Sequence, residues 1–587
     1  MVDNRLEMSQ APPETDPPAA DARETDPPEA NSPEAGARQT DSPEANSPEA
    51  GARKTDSPET GTAESIESKN PATGEVLGSV PTTPPERIDR VVAAVGQVQP
   101  LWALLRMEDR ARYMRRMAQA IVDEFDELVE AIGREQGRPR AEVAALELLP
   151  AIDALIWIAD DGAKVLGGRR VGIHRSMSLA KRARVAYEPY GVIGVIGAGS
   201  APFAQPLGQI AGALLAGNGV VFKPAARACL TGERIARVLA RADLPEGLVT
   251  LAHGDARVGV ALAKAPVAKV LFTGSPAVGR EVARECVSRE KEVSVEVGGK
   301  DAMLVLADCN VARAAEGALW AGCAGAGQAR GAIERVYVAR EVSERFLSQL
   351  VSRAATLSVG DPERGGHPIM VGPLASPRRL EHVRELVDDA VAQGARLHCG
   401  GPVSPAGCSG AFYAPAVISG VSAEMRLMRE PIDGPVLAVV AVDSVEQAIA
   451  LANEGEFCLG ASVWTADRYR GLRVARELHA GMVWLNDHLP GPAVSRGPWG
   501  AAAGGGLGRV LGEAGLRACA QEKLIVWSQP GMRGLWWGPY DQVLSGGAHA
   551  VAQLRSARDS DRERAWRHGA LNLARVGARA FGRGVPR

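Results

Sequence analysis

Aromatic residues make up only 4% of this 587-residue chain, and none of its eight cysteines falls in a CxxC pair. Cys229, Cys286, Cys309, Cys323, Cys399, Cys408, Cys458 and Cys519 are scattered. That pattern argues against a disulfide framework and a zinc site, so no metal is expected and a reducing compartment fits. No apolar run of about 18 residues is present to cross a bilayer. The opening MVDNRLEMSQAPPETD has no basic stretch followed by an apolar one, so no secretory leader is expected. Neither sign of charge dominates: 67 bases against 70 acids leave a formal net charge of −3, which gives no reason to expect a nucleic-acid partner. A soluble, cytoplasmic protein of about three or four domain-sized units is what these absences leave.

Residues 1–64 have hardly any large apolar side chains. A fifteen-residue unit repeats, TDPPEANSPEAGARQ at 25–39 and TDSPEANSPEAGARK at 40–54, and acids outnumber bases about threefold. Such a composition cannot collapse onto a core, so a disordered, acidic, Pro-rich repeat arm is expected.

From Ser65 the pattern becomes globular. PERIDRVVAAVGQVQPLW and EDRARYMRRMAQAIVDEFDELVEAIGREQ carry apolar residues three and four apart, the spacing of amphipathic helices. Short apolar runs then alternate with helical stretches. GVIGVIGAG, NGVVFKPA, LVTLAH and AKVLFTGS read as buried strands; APFAQPLGQIAGALLAG, LTGERIARVLARADL and ARVGVALAKA read as the helices between them. This alternation predicts an α/β fold with a parallel sheet covered on both faces. DAMLVLAD, ERVYVA, AVISG, PVLAVVAV, ASVWTA and MVWLN continue it and predict a second α/β domain. Beyond Ser528 the composition shifts again: an Arg-rich helical pattern carries ten arginines against four acids, counted from Arg533. A basic amphipathic helix can rest its apolar face on the body of the protein, or dock on anionic lipid or an acidic partner. Packing on the body is the plainer expectation for 529–587.

Asn70-Pro-Ala-Thr-Gly-Glu75 opens the globular part. Phe222-Lys-Pro224 closes one strand, and Leu271-Phe-Thr-Gly-Ser275, with Gly279 beyond it, forms a glycine-containing turn between strand and helix. Val295-Glu-Val-Gly-Gly-Lys300 and Gly327-Gln328 follow. A strand–turn–helix of this kind lets backbone approach a pyrophosphate with a helix N-terminus facing the charge, although GSxxxG is not the GxGxxG spacing. Five such segments in this order resemble the aldehyde dehydrogenase superfamily, from about Ser65 to Trp527.

The resemblance implies a Rossmann-like dinucleotide-binding domain at 65–296, with an oligomerisation hairpin at about 169–189, and a catalytic-type α/β domain at 297–495. A return segment and oligomerisation strand would follow at 496–528, then the extension at 529–587. It further implies a homodimer or homotetramer, a small aldehyde as substrate and NAD or NADP as cofactor. Lys223 would hold the adenosine ribose, and Gly274, Ser275 and Gly279 would line the dinucleotide. The family frequently places a Glu three residues after that lysine. Here the position is Ala226, with Arg227 next, so a 2′-phosphate is not repelled and NADP stays open.

The family's reaction needs a thiolate, because hydride leaves only from a tetrahedral thiohemiacetal. It also needs N–H donors for the oxyanion and a carboxylate to activate water. The carboxylate is present as Glu296. Against the pattern F-x-N-x-G-Q-x-C the chain reads Cys323-Ala-Gly-Ala-Gly-Gln-Ala-Arg330, with Arg335 at the spacing of the family's following arginine. The nucleophile position therefore holds Arg330, and a guanidinium does not shed its proton near neutral pH. P-W-N-F-P reads Ala198-Gly-Ser-Ala-Pro202, so Ser200 replaces the oxyanion Asn. E-E-x-F-G-P-V reads Glu430-Pro-Ile-Asp-Gly-Pro-Val436, with Pro431 at the Glu that holds the nicotinamide ribose and Asp433 at the Phe. The loop P-F-G-G-x-K-x-S-G has become Pro498-Trp-Gly-Ala-Ala-Ala-Gly-Gly-Gly506. Cys323, seven residues before Arg330 at the end of an expected helix, reads as a buried structural thiol.

Scaffold segments keep the family's look while positions at the reacting carbon have changed. The first expectation is a degenerate or re-purposed member that still binds NAD(P). The alternatives are an active NAD(P)-dependent aldehyde dehydrogenase with an unconventional nucleophile, and a peripheral scaffold recruiting partners through its two ends. Arg330 is expected to engage Glu296 as a bidentate partner that keeps it ionised, or to fill the substrate channel. Asp433 is a competing acid for that guanidinium.

Overall fold

The computed structural model describes residues 64–173, 181–364, 367–455, 459–489, 494–502, 504–528, 530, 534 and 536–581. The repeat arm up to residue 63, the tip of the 169–189 hairpin, Cys458, Ala503 and Arg533 lie outside the described residues.

Two sheets organise the body. The first has six strands in the order Gly506–Leu507, Glu292–Val297, Lys269–Gly274, Val192–Ile196, Gly219–Lys223 and Val249–Leu251. Five run parallel, and the short Gly506–Leu507 strand joins antiparallel to Glu292–Val297. Its central strands are buried along their whole length, as a sheet covered on both faces requires. One face packs under the helices Met107–Asp123, Leu149–Leu166 and Ala204–Ala216, around Met114, Leu155, Ile210 and Phe222. The other packs under Ile88–Ala103, Ala256–Lys264 and Pro276–Ser288, around Val92, Val258 and Val282.

The second sheet has seven strands: Arg396–Val403, Phe412–Ser419, Val436–Val442, Ile333–Ala339, Asp301–Val305, Gly460–Trp464 and Met482–Leu485. Only Arg396–Val403 is antiparallel to its neighbour. All the apolar runs read above as strands form strands in one of the two sheets. The stretch read as one long helical pattern is two helices, Met107–Asp123 and Phe125–Gln136, broken at Glu124.

A separate antiparallel sheet joins Arg169–Val171, Lys181–Pro189 and Ala520–Ser528, with the nine residues of the last strand paired in full register against Lys181–Pro189. The C-terminal extension is helical at Gln542–Leu554, Asp559–Arg564 and Ala570–Phe581. Its helices pack on one another, while Trp537, Tyr540, Trp566 and Leu571 stay exposed. Gly547 lies against Val576 and Gly569 against Ala550, and Arg579 pairs with Asp541 at 2.5 Å. Among the described residues no helix is long and apolar enough to cross a membrane.

Candidate active site

Glu296 stands near the end of the strand Glu292–Val297, where the first sheet faces the second domain. Its side chain is 1% exposed. Trp499 Nε1 donates to Oε1 at 2.7 Å, and Gln205 Nε2 donates to Oε2. Burial holds the Glu296 carboxyl above its ordinary value, against the opposing pull of Arg330, Trp499 and Gln205.

Arg330 reaches the same place from a loop that follows the helix Val311–Cys323. Gly325, Ala326 and Gly327 are three consecutive residues at positive φ. At Gly327 a Cβ would lie 2.2 Å from the backbone of Gly434, so only glycine fits there. Gln328 pins the loop: its Nε2 donates to Gly325 O at 2.9 Å, and its Oε1 accepts from Ala375 N at 2.9 Å. The Arg330 side chain is 7% exposed and lies with Nε 3.4 Å from Glu296 Oε1. Nη1 donates to Gly274 O at 3.3 Å and Glu296 O at 3.4 Å, and Nη2 to Ser200 Oγ at 3.4 Å.

The expected ion pair is therefore present, but not as a bidentate clamp. Trp499 and Gln205 occupy the carboxylate, and Nε has no hydrogen-bond partner. Desolvation raises the Glu296 carboxyl, and the Arg330 charge opposes that rise. Asp433 does not compete for Arg330 as a direct partner: it pairs with Arg379 Nη1 at 2.6 Å. The turn that carries Asp433 is fixed by buried Glu334, which takes Lys300 Nζ at 2.6 Å and accepts from Ile432 N at 3.1 Å.

Gln205 and Trp499 are partners of Glu296 that the sequence does not announce. They lie 91 and 203 residues from Glu296, and nothing in their local sequence points at a carboxylate. A buried group further back is equally silent in the sequence. Arg138 pairs with Glu142 at 2.6 Å and Glu147 at 2.8 Å, and Glu147 also accepts from Phe203 N and Ala204 N at the start of the helix Ala204–Ala216. Together Glu296, Arg330, Ser200, Gln205 and Trp499 bound a cavity of about 170 Å³, whose remaining walls include Leu146, Ala154 and Leu511.

The other positions lie along the first sheet. Lys223 ends the strand Gly219–Lys223 with Nζ donating to Pro224 O at 2.9 Å. Burial pulls its ammonium down to about 8, opposed by Asp255. Ser275 precedes the helix Pro276–Ser288 and its hydroxyl does not cap it. A Cβ at Gly279 would come within 2.9 Å of Val295 and Val297, so this glycine lets the helix approach the strand. The uncapped helix start and the sparsely partnered Lys223 are compatible with a dinucleotide phosphate and ribose. Arg227 lies over Gly199, where a Cβ would be 2.1 Å from its Nε, and Arg330 Nη2 reaches the neighbouring Ser200 Oγ at 3.4 Å.

Cys323 packs into the core of the second domain at 7% exposure, and burial pushes its thiol up to about 12. It does not line the cavity. Iodoacetamide at pH 8 should leave Cys323 unlabelled in the native protein and label it after denaturation, read by peptide mass spectrometry. Native labelling at the rate of a free cysteine would restore this thiol as a working nucleophile.

Two α/β sheets, with a buried carboxylate where they meet and a third sheet formed by an arm and a returning strand, define an architecture of a Rossmann-like domain and a second α/β domain. Residues 58–525 match the model of the aldehyde dehydrogenase family. The chain belongs to that family. It is 33% identical over 452 residues to 4,4'-diapolycopene aldehyde oxidase of a Methylomonas species, covering 77% of this chain and 84% of that protein. It is also 33% identical over 462 residues to betaine aldehyde dehydrogenase of Sinorhizobium fredii, covering 78% and 93%. Among solved structures, a Mycobacterium tuberculosis aldehyde dehydrogenase complexed with NAD⁺ superposes at a TM-score of 0.76 with 30% identity, covering 80% of this chain and 96% of that one. An NADP-dependent enzyme of Escherichia coli gives 0.75 with 30% identity, covering 79% and 95%.

Proposed function

We propose that this member of the aldehyde dehydrogenase family has lost the family's oxidation chemistry and keeps its site as a binding pocket. The observation that carries this reading is the buried Arg330 side chain, 3.4 Å from Glu296 Oε1 and in contact with Ser200. Arg330 stands where the family's thiolate would attack. No other described thiol lines the cavity. Ser200 replaces an amide donor, and Glu296 is tied to Trp499 and Gln205 instead of facing a free water path. Lys223, Gly274, Ser275 and Gly279 are assigned to the adenosine and phosphate end of NAD or NADP, which would supply a hydride acceptor in an active member. Arg227 and Arg330 occupy the space towards the reacting end, where an aldehyde carbon and the nicotinamide would have to meet. The exposed strand Ala520–Ser528 supports a homo-oligomer.

Purified protein given NAD⁺ or NADP⁺ with a panel of small aldehydes should form no NAD(P)H above background, read at 340 nm. Turnover at about 1–10³ s⁻¹, the ordinary range for enzymes, would overturn the proposal. Dinucleotide retention is read separately by thermal shift, where a ligand at 100 times its Kd adds about 2.7 kcal/mol of stability.

A further inference from the structure

The cavity beside Arg330 has a chemistry of its own. Leu146, Pro150, Ala154, Leu489 and Leu511 give it apolar walls, and its charged lining is Arg138, Glu147, Glu296 and Arg330. Arg138 and Glu147 are committed to each other at 2.8 Å. Arg330 has an ion partner in Glu296 Oε1 at 3.4 Å, but holds it loosely. Its contacts are 3.3–3.4 Å long, beyond the usual 2.7–2.9 Å of charge-assisted bonds, and Nε is buried with no hydrogen-bond acceptor. A guanidinium has five N–H donors in a planar fork, and burying them unused is costly. An underused buried fork at one end of an apolar cavity calls for a planar anion on an apolar body.

We propose that this cavity binds a small apolar monocarboxylate, with the carboxylate on the Arg330 guanidinium and the Ser200 hydroxyl, and the tail against Leu146, Ala154 and Leu511. The proposal rests on the reading that Arg330 has replaced the nucleophile, and it names the ligand class of that same pocket. Size sets the tail: an apolar cavity of about 150 Å³ accommodates benzene, and this one measures about 170 Å³. Benzoate and hexanoate are therefore fitting probes. A carboxylate matches the fork of Arg330 in geometry as well as charge, which neither an aldehyde nor an amide does. The opposing charge is Glu296, whose two oxygens already accept from Trp499 and Gln205.

The test is calorimetric titration of the full chain with benzoate and hexanoate, beside benzamide and benzaldehyde as neutral analogues. Saturable one-to-one binding is expected, at least tenfold tighter for the acids. Arg330→Met should lose at least tenfold in benzoate affinity, while Glu296→Gln should gain. On the unaltered protein, affinity should rise from acetate through butyrate to hexanoate, which tests the tail without a substitution. Equal binding of benzoate and benzamide, no binding of either acid, or full benzoate affinity in Arg330→Met would overturn the proposal. The aldehyde assay separates the two failures. Absent turnover with no acid binding rejects the ligand alone, whereas turnover at ordinary rates rejects the loss of chemistry beneath it.

Discussion

Arg330→Cys, assayed with NAD⁺ or NADP⁺ and small aldehydes, is expected to remain at least about a hundredfold below an ordinary enzyme of this kind. The single change restores a thiol at the start of the loop's contact with Glu296, but the rest of the site still departs from the family's pattern. Ser200 offers one hydroxyl where a side-chain amide would stabilise an oxyanion, and loss of one such donor costs about 10²–10³ in kcat. Pro431 has no carboxylate for the nicotinamide ribose. Arg227 still lies over Gly199. Groups that act as one catalytic unit do not contribute additively, so repairing one gives little while others are wrong. The comparison is kcat for wild type, Arg330→Cys and the double variant Arg330→Cys, Ser200→Asn, with folding checked by circular dichroism. Ordinary turnover from the single reversion would show that Ser200, Pro431 and Arg227 matter far less than their positions imply.

The largest loss of stability is expected at Arg138 and Glu147. Glu147 lies in a short π-helical segment, Ala144–Leu148, wedged between the helices Arg140–Val143 and Leu149–Leu166. The wider turn aims its carboxylate, 1% exposed, at Arg138 Nη1 and at the backbone N–H groups of Phe203 and Ala204. Glu142 takes Arg138 Nε and also accepts from Gly325 N at 2.9 Å. One guanidinium thus ties together three parts of the site: the π segment, the helix that carries Gln205 and the loop that carries Arg330. Removing one partner of a buried pair leaves the other uncompensated and typically costs about 3–5 kcal/mol. Glu147→Ala should show that loss in urea denaturation at unchanged m-value, and Arg138→Met a similar one. A change below about 1 kcal/mol in both would mean that water replaces the missing partner and the network is not structural.

The strands were readable because each is an unbroken apolar run, and burial on both faces demands that pattern. Other elements carry no such plain signal. Leu149–Leu166 is apolar on most of its circumference, so it shows no clean helical stripe, and Glu292–Val297 alternates Glu and Ser with valine like an exposed strand although its last four residues are buried. At the site, Glu296 and Arg330 could be paired from sequence because both sit in recognisable motifs 34 residues apart. Their geometry could not. Whether a guanidinium meets a carboxylate through a fork or through one nitrogen depends on what else reaches that carboxylate, and Gln205 and Trp499 arrive from distant parts of the chain. The position of Arg227 is likewise not legible in the residues around it. Its place over Gly199 follows from the turn after Lys223, which brings a residue of one strand end onto the loop of the next.

The strand Ala520–Ser528 has a consequence for handling the molecule. It pairs on one side only, with Leu524, Ile525, Val526 and Trp527 all exposed, so its outer row of peptide groups is open among the described residues. A nine-residue margin whose Leu524–Trp527 stretch is apolar and exposed is a template for unwanted aggregation. Cutting the chain before Ala520 would not remove the hazard but shift it inward. The equally long Lys181–Pro189 would become the new margin, so a well-behaved shortened protein has to end beyond Ser528.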